Sequence, residues 1–282
     1  MTKEPEYLPF SQRNGMAQIP PQLKIGEVSP ELRRLLDYAI SKEIHRVEHT
    51  TGYSVYFLGD WEEVASDFHV LFLAQPASSF RNNAFQIRGA LEKLVLQLKI
   101  GQLFDLIEFL VRHAGCSHRL KSDLANAFSD ARSAYRLIDG QILAIGTEQE
   151  GAAIESAILN AEANGDIAAR QHLIASGVEL RNGNWVSSVR ESIHAVEAMS
   201  RKIDPTTKTL APALKALERK GYIHGSLKAG FEKLYGYTND EDGIRHALSD
   251  AEARVDEVDA LFMLGACASF VSYLIAKSKA QP

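Results

Sequence analysis

The chain has 282 residues, 45% apolar and 24% charged, the balance of an ordinary globular protein of one large or two modest domains, which excludes long disorder. Its formal net charge of −5 argues against a general polyanion binder. Only two cysteines are present, Cys116 and Cys267, far apart, and the opening MTKEPEYLPF has no apolar core for a secretion signal; a disulfide framework is excluded and a cytoplasmic location is expected.

Residues 1–28 read as an irregular arm broken by Pro5, Pro9, Pro20 and Pro21. Ser29-Pro30 predicts a capped helix start, and Leu32, Leu35, Leu36, Ala39 and Ile40 follow at helical spacing. Residues 50–60 fit either a strand or the edge of a helix. From Trp61 the pattern is helical again. Residues 86–114 are the most regular stretch of the first half. There Ile87, Leu91, Leu94 and Leu98 form a stripe continued by Leu103, Leu106 or Ile107, and Leu110, with Gly101 as the expected division into two helices. A stripe of this kind is core.

Residues 134–145 interrupt the helices. Tyr135 to Ile138, then Asp139-Gly140, then Gln141 to Ile145 predict a β-hairpin, because Asp-Gly favours the tight turn that matches strand twist. This hairpin is a natural seam between a helical N-terminal domain, 1–147, and a C-terminal domain, 148–282. Residues 148–160 and 166–175 read as helices, with Gly165 between them and Gly177 after them. Asn184 is a candidate cap for the next helix, whose Val186, Val189, Ile193, Val196 and Ile203 face inward. Beside them Arg190, His194, Glu197 and Arg201 fall at i, i+4, i+7 and i+11. That polar stripe is either a solvated face with ordinary ion pairs or a face turned toward a functional turn elsewhere in a bundle. Residues 210–220, stopped by Gly221, and 226–235, stopped by Gly236, are two more helices. Asp256 is positioned to cap the last helix, which carries Val258, Leu261, Phe262, Val271, Leu274 and Ile275. Residues 260–276 contain no charge. They are at the short limit for a membrane span and include Gly265, Ser269, Ser272 and Tyr273, so they read as a buried bundle helix and no membrane partner is expected. The fold class is therefore mainly α, with a hairpin at the seam and a C-terminal bundle.

Two metal-like patterns are weak. His45-Arg46-Val47-Glu48-His49 matches H-x-x-E-H, but no third ligand is identifiable downstream and Thr50-Thr51-Gly52 signals the helix end. His113, Cys116 and His118 lack a matching second half. No metal or cofactor is expected. Charge is distributed unevenly. Residues 201–233 carry eight Lys or Arg, including Arg201, Lys202 and Lys228, whereas 234–260 carry eight acids against Arg245 and Arg254. In that second stretch Arg245 and His246 stand side by side after Asp240-Glu241-Asp242-Gly243. A permanent cation beside the side chain that titrates near neutral pH suits chemistry on phosphate esters.

PFSQRNGMAQIPPQL (9–23) and the helix after it resemble the start of the AbiJ-type N-terminal domain of abortive-infection proteins. NWVSSVRESIHAVEAM (184–199), FEKLYGYTNDEDGIRHAL (231–248) and FMLGACASFVSYLI (262–275) resemble a HEPN domain, a helical bundle found in defence ribonucleases. The resemblance implies phage defence through metal-independent RNA cleavage. Arg245 would steady the phosphate and His246 would move protons, with Glu197 supporting them. Arg190, His194, Arg201 and Lys202 are the candidate RNA contacts, and pairing of two bundles into a homodimer is expected. In the family an Arg precedes the His by four to six intervening residues; here the two are adjacent, and Asp250, Ala251 and Glu252 occupy the places where the His would fall. Adjacent helical residues point about 100° apart. Two readings stay open: a modified nuclease site, or a non-catalytic module that senses, pairs or scaffolds.

Overall fold

The structure, a computed structural model, describes residues 10–18, 21–207, 210–237 and 255–279. It is mainly α, with two small antiparallel strand pairs among the described residues. The chain divides into two compact units, Met1–Ile142 and Leu143–Pro282. The division falls inside the second strand of the hairpin predicted for 134–145.

In the first unit the proline-rich arm holds one helical turn that the pattern does not suggest, α1 (Phe10–Arg13). It fits in the gap between Pro9 and Pro20, and the Asn14 side chain closes it by donating to the Phe10 carbonyl at 2.8 Å. Helix α2 (Pro30–Val47) starts as expected, with the Ser29 hydroxyl accepting from the Leu32 N–H at 3.0 Å. Its Leu32, Leu36, Ile40 and Ile44, four residues apart, are all buried. Each such side chain contributes about 1.5–3 kcal/mol when removed from water. Residues 48–57 resolve into a hairpin, β1 (Glu48–Thr51) and β2 (Ser54–Phe57), in which Glu48 pairs with Phe57. The helices α3 (Asp60–Asp67), α4 (Ala84–Gln97), α5 (Ile100–Arg112) and α6 (His118–Asp130) come next, and α2 packs against both α4 and α6.

The expected break at Gly101 lies instead at Leu98–Lys99, and Gly101 sits in the first turn of α5. The reason is a partner the local pattern cannot show. Arg33 of α2 donates to the Val95 carbonyl at 2.6 Å and to the Leu98 carbonyl at 2.8 Å, so the orphan carbonyls that end α4 are satisfied there. The strands β3 (Tyr135–Ile138) and β4 (Gln141–Ala144) form the second hairpin. Asp139 and Gly140 both have positive φ, 53° and 70°, the pairing that defines the tight primed turn. Arg112 donates to the Gly140 carbonyl at 2.8 Å and Glu108 accepts from the Ile142 N–H at 2.8 Å, so α5 holds the turn and the strand that leaves it.

The second unit contains α7 (Glu148–Ala163), α8 (Ile167–Arg181), α9 (Trp185–Ile203), α10 (Leu210–Arg219), α11 (Gly225–Tyr237) and α12 (Glu257–Lys279). Thr147 and Glu150 form a reciprocal capping box on α7. Helix α12 packs on α7, α8 and α9, while α8 packs on α9 and α10 on both α9 and α11. Three local expectations need correction. Gly177 does not end α8 but lies within it, because a side chain there would press on Leu143: an added Cβ would sit 3.0 Å from the Leu143 Cβ. Gly236 does not end α11, which runs on to Tyr237. Asn184 precedes α9 but caps nothing; its amide donates to Glu179 at 2.7 Å.

Asp256 does cap α12, accepting from Val258 and Asp259 at 2.9 and 3.0 Å. Helix α12 is long and apolar enough, by length and composition, to cross a membrane. Its Met263, Leu264, Cys267, Phe270, Val271, Leu274 and Ile275 are nonetheless buried within this unit, while Val258 and Phe262 stay exposed, as in the central helix of a bundle.

Two glycines give opposite expectations. Gly140→Val should cost about 1–3 kcal/mol, because a branched side chain is strained at positive φ. Gly89→Ala, on the exposed face of α4 with open space around it, should stabilise by about 0.4–1 kcal/mol. Urea unfolding midpoints of the two variants against the parent measure both.

Candidate functional site on the α8–α9 hairpin

Helices α8 and α9 are joined by a short turn in which Gly183 takes a φ of 76°, so they run back along each other. Serines make the close approach possible. The Ser176 hydroxyl on α8 donates to the Ser188 carbonyl at 2.9 Å and lies 2.8 Å from the Ser192 hydroxyl on α9. All three serines are fully buried. One turn from Ser176 stands His172, and one residue from Ser192 stands Glu191. The His172 Nδ1 lies 2.7 Å from one Glu191 carboxylate oxygen, and the His194 Nδ1 lies 3.9 Å from the other. The two imidazoles meet edge to face with centroids 5.2 Å apart. The His172, Glu191 and His194 side chains are 32%, 26% and 39% exposed, sheltered yet open to a ligand.

The stripe read from the sequence lies beside this group. Arg190 and Glu197 are half-buried on α9, and Arg201 is exposed near its C-terminus. Lys202 turns away: its ammonium pairs with the buried Asp166 and donates to the Asn164 carbonyl at 2.6 Å, which ties α9 to the α7–α8 turn. The basic run 201–233 is partly committed in the same way. Lys220 pairs with Asp204 at 2.9 Å, and Lys228 with Glu218 at 2.8 Å. Arg245 and His246 lie outside the described residues.

Reasoning along single helices misses His172. A signal is present, since His172 and His194 each stand eleven residues from Gly183. Residues at equal distances from a helical-hairpin turn face each other.

Neither weak metal pattern assembles. His49 leaves the helix for β1, where it lies against Tyr56 with centroids 6.3 Å apart, while His45 pairs with Glu48 at 2.7 Å. His113 pairs with Asp67 at 3.2 Å. Burial pushes the Cys116 thiol up to about 11 and the Cys267 thiol up to about 12, so neither supplies a thiolate near neutral pH. Two hollows in the first unit, one lined by Phe68, His69 and Arg81 and the other by Tyr38, Lys42 and Asp123, have volumes of only about 190 Å³ each, below the size of pockets that enclose small-molecule ligands.

The fold and this face define a mainly α protein of two units whose second unit gathers imidazole, carboxylate and guanidinium groups on one helical hairpin. Comparison with protein-family models identifies its class. Residues 8–160 match the model described as AbiJ N-terminal domain 4, more than half of the chain, and the chain belongs to that family. Membership ties it to abortive infection, a form of antiphage defence. No curated protein and no solved structure matches the chain.

The end of α9 has its own test. The Thr206 hydroxyl, the Lys220 ammonium and the Thr206 N–H hold the Asp204 carboxyl down to about 2, against an ordinary 3.8. A carboxylate depressed in this way stabilises the fold above about pH 4, and that contribution fades as pH falls toward 2. The stability difference between the parent and Asp204→Asn should therefore be level from about pH 5 to 7 and shrink below about pH 4. Urea unfolding across a pH series measures it.

Proposed function

We propose that this protein is an abortive-infection effector whose C-terminal bundle binds and cleaves RNA, arresting the infected cell before phage mature. The observation that carries the reading is the face of α9, where Arg190, His194, Glu197 and Arg201 lie on one side of a helix packed within a bundle. Guanidinium groups recognise phosphate through forked hydrogen bonds. Imidazole and carboxylate are the side chains that move protons in a reaction at neutral pH. The likeness of 184–199, 231–248 and 262–275 to HEPN nucleases supports the same assignment.

In this mechanism Arg245 steadies the scissile phosphate and His246 relays protons. A base takes the proton of the ribose 2′-hydroxyl, whose oxygen attacks phosphorus. The bond to the 5′-oxygen breaks, and that leaving oxygen receives a proton. The products are a 2′,3′-cyclic phosphate and a 5′-hydroxyl, with no metal ion required for the step. Glu197 orients the reacting groups, and Arg190, His194 and Arg201 hold the strand. Lys202, committed to Asp166, has the smaller share. Two bundles pairing as a homodimer would place two such faces along one RNA.

The adjacency of Arg245 and His246 favours one second reading, in which the bundle senses or scaffolds without cutting. Phage plating on cells carrying the parent or Arg245→Ala/His246→Ala, at matched protein levels, separates the two. For the nuclease, protection falls with the double variant. Purified parent protein then yields cyclic-phosphate RNA ends in the presence of chelator, and His246→Ala slows cleavage by about 10²–10⁴-fold. Undiminished protection by a folded double variant would assign the bundle to the scaffold role.

A further inference from the structure

His194, one of the residues placed on the strand, also stands in a group with His172 and Glu191. We infer that these three side chains form a binding site for one divalent transition-metal ion, of which zinc is the best match, clamping α8 to α9. Each offers one ligand atom, and the three atoms all lie within 4.8 Å of one another. Two imidazole nitrogens with one carboxylate oxygen are a known donor set for zinc, which keeps a fourth position for water. Imidazole favours transition metals over magnesium or calcium.

Ligands about 2.0–2.2 Å from a tetrahedral zinc stand about 3.3 Å from each other. The present spacings bracket that value. His172 is 2.7 Å from the carboxylate, His194 is 3.9 Å from it, and the limit is 4.8 Å. Side-chain rotation alone can therefore close the three around an ion. The Nδ1 atoms of the two imidazoles lie near different oxygens of one carboxylate, at 2.7 and 3.9 Å, so the three side chains share one short stretch of the hairpin surface.

The backbone beneath them is set. The buried Ser176–Ser188–Ser192 contacts, one turn from His172 and flanking Glu191, fix the register of the two helices. Partial exposure of all three ligands leaves a path for the ion and for its water. Among the described residues no other group of three His, Cys, Asp or Glu side chains meets this spacing.

The test uses the full chain, stripped with chelator and titrated with Zn²⁺ by calorimetry, without RNA or phage. One Zn²⁺ per chain is expected, with a rise of several degrees in Tm at an excess of about 100 Kd. His172→Ala/His194→Ala should weaken binding by more than the roughly 10–100-fold that loss of an outer-shell partner costs. Glu191→Gln, nearly the same shape, should weaken it too, while His118→Ala on α6 should leave it unchanged. X-ray absorption of the loaded protein should show nitrogen and oxygen neighbours only. Absence of one-to-one uptake, sulfur in the coordination shell, or uptake unchanged in both the double variant and Glu191→Gln would overturn the site. Because the readout is the ion itself, its failure leaves the RNA reading standing, and a Zn²⁺-loaded protein that cuts no RNA would leave the metal site standing.

Discussion

The second unit depends on three hydroxyls. Ser176, Ser188 and Ser192 are small enough to let two helices close on each other, and polar enough to demand partners once water is gone. A buried hydroxyl left without a partner costs about 1–3 kcal/mol. The pairing therefore selects against any slip of α8 along α9. A slip of one turn would move Ser176 away from Ser188 and Ser192 by about 5.4 Å and cost it its partners on α9, while Ser192 would keep its bond to the Ser188 carbonyl. The same register sets His172 opposite Glu191. An interaction that looks purely structural thus decides which titratable groups meet at the surface one turn away.

Charge in this unit is used in two ways. Several cations that look like a phosphate-binding strip when read in order are anchors instead: Lys202 holds the α7–α8 turn through Asp166, Lys220 holds Asp204, and Lys228 holds Glu218. Two of these carboxylates, Asp166 and Asp204, are buried and need a cation beside them. The effect of the pairs is positional, since they fix where helices begin and end. In the first unit Glu43 shows the same logic at greater depth. Burial would raise its carboxyl, but the fork of Arg46, at 2.6 and 3.0 Å, together with Ser117 holds it below its ordinary range.

What periodicity encodes is legible in the sequence. The Ser29-Pro30 start, the Asp139-Gly140 hairpin, the centre of the inward stripe of α9 and the Asp256 cap all arise from rules that act within a few residues, and the structure contains each of them; Val189, Ile193 and Val196 are buried, whereas Val186 and Ile203 at the ends of the stripe are half-buried. The N-terminal family is legible in the phrase at 9–23. The errors share one origin. Gly101, Gly177 and Gly236 each suggest a place where a helix ends, yet all three lie inside helices. Glycine in a helix costs only about 1 kcal/mol relative to alanine. A distant partner outweighs that: Arg33 chooses where α4 stops, and Leu143 needs the space that Gly177 leaves. His172 escapes for the same reason, because its meaning depends on a residue nineteen positions away on another helix. Arg245 and His246, the pair most visible in the sequence, fall outside the described residues, so the site that can be built comes from α8 and α9.

The limits of α7 have an evolutionary consequence. By sequence, most of this helix belongs to the family match, which ends at residue 160. By packing, it belongs to the second unit, where Ile154, Ala157, Ile158 and Ala161 are buried and the neighbours are α8 and α12. The inherited module therefore ends in a helix whose apolar face is completed by helices beyond the module's own boundary. A C-terminal half that follows this module has to bring a groove that accepts this one row of small and branched side chains.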